Sequence, residues 1–200
     1  MKKLISIGLL FVLPLMAFAG GYQVGDKATD FTLKNIDGEM VSLSDYNDAK
    51  GFVVVFTCNH CPYAIAYQER LIAIDKKYKD KGYPVIAINP NDDSIVEDDN
   101  WAGMKKRAKE MNYTFPYLKD DTQEIAKAYG AERTPHVYVL DKEDNDLIVK
   151  YIGTIDDNYK DASQVEKTYL EDALDALLAG KKPEPDHTKA IGCTIKWAKK

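Results

Sequence analysis

The feature that most constrains the fold is an apolar segment, residues 52–57, followed by an amphipathic segment and a second apolar segment. The first segment is rich in β-branched residues and lacks polar alternation, which is typical of a strand buried on both faces of a sheet. In residues 64–78, apolar side chains recur at spacings of three and four, which predicts a helix. Residues 84–89 predict the next strand. Such a strand-helix-strand unit places its two strands parallel in one sheet.

Other patterns extend this unit into a domain. Asp37-Gly38 between two short apolar segments predicts a hairpin with a tight turn. A helix is predicted at residues 101–111. Asp121 and Glu124 fit the start of a second helix, and Gly130 fits its end. A final helix is predicted from the capping-box pair Ser163 and Glu166 to Gly180. Two antiparallel strands are predicted at residues 136–140 and 147–152, joined by a polar turn, and residues 92–99 are expected to form a solvated acidic loop.

We therefore expect one α/β domain at residues 20–180 and a C-terminal tail at residues 181–200. A chain of 200 residues is long enough to bury one hydrophobic core. Neither internal repeats nor a domain linker is evident in the sequence. The proline-rich start of the tail favours an extended stretch. Apolar residues then alternate along residues 191–197, as in a short strand that docks on the domain.

Residues 1–19 have the pattern of a signal peptide. Lys2 and Lys3 precede an apolar run, and Ala17-Phe18-Ala19 forms a cleavage pattern before Gly20. The run is shorter than a membrane-spanning helix and contains a proline, so we expect export and release into the periplasm or the medium, with no stable membrane span after cleavage. The net charge of −5 makes nucleic acid a poor partner.

Cys58 and Cys61 lie directly after the first predicted strand. A disulfide closing so short a loop removes little chain entropy, so in an exported protein the pair is expected to be redox-active rather than structural. We expect Cys58 at the helix start, where free backbone N–H groups and the helix dipole stabilise a thiolate. A protonated His60 would add positive charge. Such influences lower a cysteine pKa from ~8.5 to within ~3.5–7.5.

This spacing suggests a division of roles. Cys61 lies one turn further on and is expected to be the more buried. Cys58 would attack a substrate disulfide, and Cys61 would displace the product by attacking Cys58; the reverse steps would oxidise a dithiol. The chemistry needs no bound cofactor. Expected partners are protein or small-molecule thiols and disulfides, and a redox partner protein. Half of a zinc site is the alternative, ranked lower because no second Cys-x-x-Cys exists.

The order of these elements, the Cys-x-x-Cys helix and Thr134-Pro135 before a strand together resemble the thioredoxin superfamily. Specifically, the chain is similar to its exported peroxiredoxin-like and thiol-disulfide oxidoreductase branches over about residues 24–179. Residues 24–33 resemble the opening segment of those branches. Cys58-Asn-His-Cys61-Pro and the tail sequence Gly-Cys-Thr-Ile-Lys-Trp at residues 192–197 match a peroxiredoxin-like subgroup.

The resemblance implies a thioredoxin-like fold, with a central mixed β-sheet flanked by helices and an N-terminal β-hairpin extension. It implies that Cys58 is the nucleophile and Cys61 the resolving thiol, with His60 between them. It also implies that Pro135 is a cis-proline and that the backbone before it, at Thr134, pairs with a bound substrate chain. The residues alone favour an ordinary trans turn proline at this position.

Two positions depart from the thioredoxin pattern. Thr57 stands where thioredoxins carry a tryptophan before the first cysteine. Phe52 stands where many of them place a buried carboxylate, so another base or water must serve.

Peroxide reduction is the second hypothesis, ranked below disulfide exchange. Peroxiredoxins use Pro-x-x-x-Thr-x-x-Cys, and counting back from Cys58 gives Val55 at the threonine position and Gly51 at the proline position. Arg133 or Arg70 could supply the cation that polarises a peroxide, but surface solvation is the expected role of both.

A copper-delivery module is the third hypothesis. Thiolates at Cys58 and Cys61 would suit Cu(I), with His136 as a distant ligand, but copper-handling thioredoxin-like proteins space their cysteines one residue wider. Cys193 is expected to be a buried free thiol in a docked tail, and the alternative is a further resolving or intermolecular cysteine.

Overall fold

The computed structural model of the protein describes residues 20–199, so the predicted signal peptide lies outside the described residues. The strands are β1 (Lys27–Ala28), β2 (Thr32–Asn35), β3 (Met40–Ser42), β4 (Gly51–Phe56), β5 (Val85–Asn89), β6 (Tyr117–Lys119), β7 (Arg133–Thr134), β8 (His136–Glu143), β9 (Asp146–Gly153) and β10 (Cys193–Thr194). The helices are α1 (Pro62–Tyr78), α2 (Trp101–Met111), α3 (Glu124–Tyr129) and α4 (Tyr169–Leu178). Within residues 20–199, none of the helices combines the length and apolar character needed to cross a membrane.

Eight strands form one mixed sheet in the order β1-β9-β8-β4-β5-β6-β2-β3. β4 runs parallel to β5, and β5 runs parallel to β6, as the strand-helix-strand pattern predicts. β8 pairs antiparallel with the other side of β4 and continues into β9. The β2–β3 hairpin, with its turn at Asp37-Gly38, joins the opposite edge through β6. The predicted mixed sheet with a hairpin extension is therefore confirmed.

β4 is buried on both faces, which explains its uninterrupted apolar sequence. Val53 and Val55 point into a core shared with α1, α2 and α4. Phe52, Val54 and Phe56 point into a second core on the other face, which includes α3 and the hairpin. With both faces enclosed, β4 is held firmly in the middle of the sheet, and the residues that follow it start from a fixed position.

The start of the last helix was predicted wrongly. Ser163 does not begin α4, because Asp161 accepts hydrogen bonds from the backbone and hydroxyl of Ser163 and thereby caps a separate 3₁₀ turn. The backbone of Glu166 donates to Asp157 instead of completing a capping box with Ser163. α4 begins at Tyr169. By contrast, the bounds of α2 agree with the predicted residues 101–111.

The C-terminal tail folds back onto the domain, as the alternation of its apolar residues predicts. β10 pairs antiparallel with β7, with Cys193 opposite Thr134. Ile195 is buried in the second core, and its backbone N–H donates to the carbonyl of Glu132 at 3.0 Å. The tail is therefore packed against the strand that leads into Pro135.

Arg70 is a half-buried, ion-paired residue and not the solvated surface cation that the sequence suggested. Its guanidinium donates to Asp156 Oδ2 at 2.6 Å and to the carbonyl of Asn158 at 2.6 Å. The hydroxyl of Tyr67 donates to the other oxygen of the same carboxylate. The ion pair of Arg70 and Asp156 joins α1 to the loop after β9.

We expect Arg70→Met to lower the free energy of unfolding by about 3 kcal/mol, because the substitution leaves the buried Asp156 carboxylate without its cation. Lys106→Met is the matched control. It breaks an exposed pair with Glu110, and such pairs contribute about 0–1 kcal/mol. Urea unfolding of the reduced chain measures both changes. Equal losses for the two variants would contradict a structural role of Arg70.

Candidate active site

The Cys-x-x-Cys segment lies between the end of β4 and the start of α1. Cys61 is the N-cap of α1 and Pro62 is its first residue, a position where a missing N–H costs nothing. Cys58 lies three residues earlier, in the loop. The prediction that Cys58 occupies the helix start is therefore wrong, because proline at position 62 makes Cys61 the cap.

Both sulfurs of the pair meet at Thr134. Cys58 Sγ lies 3.1 Å from the Thr134 hydroxyl oxygen, and Cys61 Sγ lies 3.1 Å from the Thr134 carbonyl oxygen. The Thr134–Pro135 peptide bond is cis, as the resemblance implies. The structure thus brings together Cys58, Cys61, Thr134 and Pro135. The two thiols are similarly buried, with Cys58 1% and Cys61 0% exposed, so the expected contrast in their burial is absent.

Cys193 joins this cluster from the tail. Its Sγ lies 2.7 Å from Cys61 Sγ, and its backbone N–H lies 3.4 Å from the same sulfur. All three cysteines are free thiols. Cys193 is half-buried, whereas Cys58 and Cys61 are buried, so it is the most accessible of the three sulfurs.

Asp99 is the carboxylate that the sequence analysis missed. It was assigned to a solvated acidic loop, but it is 0% exposed. Oδ1 accepts from the backbone of Asn59 at 2.7 Å and from Asn89 at 3.0 Å. Oδ2 accepts from Asn91 at 2.8 Å and lies 2.8 Å from His60 Nδ1, an arrangement that assigns the ring proton to Nδ1. Asp99 therefore holds the loop between the two cysteines.

Asp99 is turned inward by a short 3₁₀ turn at Glu97–Asp99, which the run of acidic residues does not reveal. The side chains that satisfy it, Asn89 and Asn91, come from the end of β5 and the turn after it. A buried carboxylate needs such donors. Asn89 and Asn91, which flank Pro90, were the available signal for a buried acidic partner. Their sequence was interpreted only as a turn.

A hydrogen bond couples the thiols of Cys58 and Cys61. A hydrogen bond with Cys58, opposed by burial and supported by Cys193, lowers the pKa of Cys61 to about 4. The hydrogen bond with Cys61, burial and the charge of Asp99 raise the pKa of Cys58. These influences oppose the expected ionisation of the Cys58 thiol. Cys58 lacks the helix N-terminus that Cys61 occupies, and it faces a carboxylate. The ionisation belongs to the pair as a unit.

His136 does not join the cysteines, which corrects the ligand set of the copper hypothesis. Its ring lies on the other side of the sheet, beside Tyr138, in a cavity of about 330 Å³ that His187 also lines. Burial lowers the pKa of His136 to about 4. Within residues 20–199, the side chains positioned to share a metal ion are Cys58, His60 and Asp99, whose ligand atoms lie within 4.8 Å of one another.

Neither arginine proposed for peroxide chemistry reaches the motif. Arg70 is engaged by Asp156, and Arg133 donates to the carbonyl of Gly192 in the tail. Arg107 of α2 donates instead to the carbonyl of Asn59 at 3.4 Å. Its position on the face of α2 toward the motif depends on tertiary packing, so the sequence alone does not single it out.

Comparison with known proteins agrees with this geometry. The model of the AhpC/TSA family matches residues 24–151. The chain belongs to the AhpC/TSA family. The crystal structure of an uncharacterized conserved protein from Geobacillus kaustophilus is 39% identical, with a TM-score of 0.82, and the alignment covers 89% of this chain and 94% of that one.

Other relatives and structural neighbours support the thioredoxin-like fold. A thiol-disulfide oxidoreductase ResA of Bacillus thuringiensis is 27% identical over 60% of this chain. The match spans 65% of the length of that relative. The thioredoxin domain of a thiol-disulfide oxidoreductase from Bacteroides vulgatus is 21% identical, with a TM-score of 0.54, over 66% of this chain and 91% of that one. This last likeness concerns the fold alone.

We expect Asp99→Asn to lower the pKa of Cys58, because removing the nearby negative charge stabilises the thiolate. The titration is best read in a chain that also carries Cys61→Ser and Cys193→Ser, where Cys58 is the sole thiol. Thiolate absorbance against pH gives the midpoint. Asp98→Asn is the control, since Asp98 is exposed beside Asp99. An unchanged midpoint in Asp99→Asn would rule out this electrostatic role.

Proposed function

We propose that the protein is a thiol-disulfide oxidoreductase that exchanges disulfides through Cys58 and Cys61. The observation that carries the proposal is the meeting of both sulfurs at Thr134, each at 3.1 Å. Membership of the AhpC/TSA family and the similarity to ResA proteins support it. The proposed substrates are thiols and disulfides of proteins or small molecules.

From the protein, the proposed reaction needs only the sulfurs of Cys58 and Cys61. The Cys58 thiolate attacks one sulfur of a substrate disulfide, a mixed disulfide forms, and the other substrate sulfur leaves as a thiolate. Cys61 then attacks Cys58 Sγ, which releases the second substrate thiol and leaves a Cys58–Cys61 disulfide. The substrate is reduced by two electrons and the pair is oxidised by two. Run in reverse, the same steps oxidise a substrate dithiol.

The shared proton suits this sequence of steps. The hydrogen bond between the two thiols lowers the pKa of Cys61 and raises the pKa of Cys58, and a proton can pass between the two sulfurs. Contacts with Thr134 and Cys193 surround the Cys61 sulfur, whereas the contact of Cys58 Sγ is with the Thr134 hydroxyl. Cys58 is therefore the proposed attacking sulfur and Cys61 the resolving one, with His60 and Asp99 fixing the loop between them.

We place this activity in the cell envelope. The support is the leader pattern of residues 1–19, with its lysines, apolar run and Ala-x-Ala ending. An oxidising compartment also suits a chain whose cysteines cycle between thiol and disulfide. A redox partner protein would return the pair to its starting state.

Peroxide reduction is the second candidate, because the AhpC/TSA match favours it at the level of the family. Arg107 donates to the backbone of the motif loop and is the nearby cation that such chemistry would need. The positions of the peroxidase threonine and proline are nevertheless filled by Val55 and Gly51. Disulfide exchange therefore remains the better supported function.

We expect Cys58→Ser to abolish reduction of insulin disulfides, because the sulfur that attacks the substrate is missing. Cys61→Ser should instead accumulate a mixed disulfide at Cys58, since the resolving sulfur is missing. Insulin precipitation measures the first effect, and mass spectrometry of acid-quenched protein measures the second. Urea unfolding confirms that both variants fold. Full activity in Cys58→Ser would refute the assignment of the nucleophile.

The peroxidase candidate is tested on the same protein. We expect slow formation of sulfenic acid at Cys58 when the reduced chain meets one equivalent of hydrogen peroxide, because no threonine hydroxyl stands at position 55. Trapping with a sulfenic-acid reagent measures the rate. Fast trapping that Arg107→Met slows would favour peroxide reduction over disulfide exchange.

A further inference from the structure

The cysteine in the tail lies against the resolving cysteine. Cys193 Sγ is 2.7 Å from Cys61 Sγ, so the two sulfur atoms are in direct contact. Cys193 also stands opposite Thr134 in the β7–β10 pairing, beside the residue that contacts both other sulfurs. The three thiols therefore form one contiguous cluster, with Cys61 in contact with Cys193.

Several contacts hold the tail in this place. The guanidinium of Arg133 donates to the carbonyl of Gly192 at 3.0 Å, and the backbone of Lys196 donates to Asn91 Oδ1 at 2.8 Å. At Gly192 the backbones approach so closely that an added Cβ would lie 2.3 Å from the Thr134 carbonyl oxygen. Glycine is the residue that permits this approach. The position of Cys193 is thus built into the tail and is not a chance contact of a loose end.

We propose that Cys193 is a third redox cysteine, which takes the disulfide from Cys58–Cys61 and forms a Cys61–Cys193 disulfide. This inference rests on the proposed disulfide exchange. In the step, the Cys193 thiolate attacks Cys61 Sγ, the Cys61–Cys193 bond forms and the Cys58–Cys61 bond breaks. Cys58 leaves as a thiolate and regains a proton, while the proton of Cys193 passes to solvent. The number of disulfides is unchanged, so no additional oxidant is required.

The electrostatics of Cys193 change in favour of this step when the pair is oxidised. Burial and the Cys61 thiolate raise the pKa of Cys193 to about 11 in the reduced chain. Once Cys61 is part of a disulfide its charge is gone, and that part of the effect disappears. The nearby cations Lys196 and Arg133 then favour the Cys193 thiolate. Oxidation of the pair thus makes Cys193 a better nucleophile.

The relay moves the disulfide outward. Cys58 and Cys61 are buried, whereas Cys193 is half-buried. A disulfide held at Cys61–Cys193 exposes a sulfur to a redox partner and returns Cys58 to its thiol form. Substrate and partner would then use different sulfurs of the same cluster.

Tryptic peptides separate the two disulfides. Residues 51–70 contain both Cys58 and Cys61, whereas residues 190–196 contain Cys193, so only a disulfide to Cys193 joins two peptides. The reduced chain is mixed with one equivalent of oxidised glutathione, quenched with acid over time, alkylated and digested. We expect the internal disulfide of residues 51–70 to form first and then to fall as the cross-linked peptide pair rises.

Substitutions show which cysteines form the cross-linked peptide pair. Cys58→Ser should form the cross-linked pair more slowly than the unaltered chain, because no Cys58–Cys61 disulfide is present to be passed on, and Cys61→Ser should lose the pair. Gly192→Ala should reduce the cross-linked fraction while the Cys58–Cys61 disulfide still forms, because the new methyl group moves the tail from Thr134. Thr194→Ala, an exposed substitution in the same strand, is the control and should behave like the unaltered chain.

Two results would overturn the relay: a cross-linked pair that never appears in the unaltered chain, or a cross-linked pair that forms as fast in Cys58→Ser as in the unaltered chain. Either failure leaves insulin reduction and its loss in Cys58→Ser intact as tests of the proposed function. Conversely, a cross-linked pair in a chain that reduces no insulin would support a Cys61–Cys193 disulfide and refute the proposed oxidoreductase activity.

Discussion

The site depends on Thr134, which touches the sulfurs of both motif cysteines. Its hydroxyl contacts Cys58 and its carbonyl contacts Cys61, so one residue on a two-residue strand fixes two sulfurs carried by another part of the chain. This is possible because β4 is buried on both faces and delivers the motif loop to one place, and because β8 pairs along β4 directly after Pro135. The chemistry is thus set by the junction of two neighbouring strands.

Asp99 gives this junction its charge. Its carboxylate satisfies backbone and side-chain donors of the motif loop and of the turn after β5. It thereby orders the loop, and its charge opposes ionisation of Cys58. The N-terminus of α1 acts at Cys61, where it favours the thiolate. Geometry and electrostatics therefore assign different tasks to the two thiols.

The sequence predicted the fold more completely than the site. The central sheet, the hairpin and α2 follow from periodicity and turn residues, which act locally. The residue that caps α1 was not predicted correctly. Proline fits the first position of a helix, so Pro62 makes Cys61 the cap. Asp99 was misjudged because the direction of its side chain depends on a short 3₁₀ turn within an acidic run. The contact of Cys193 with Cys61 joins residues 132 positions apart, and no local pattern encodes it.

The return of the tail to β7 affects the order in which the site can be completed during synthesis. A chain that emerges from its N-terminus presents Cys58 and Cys61 long before residue 193 exists. Throughout that interval the Cys61 sulfur lacks its contact with Cys193, and once β7 has formed, its edge lacks the antiparallel neighbour. Arrival of β10 closes this period, so a nascent molecule and a mature one expose different sulfur chemistry to the compartment in which they fold.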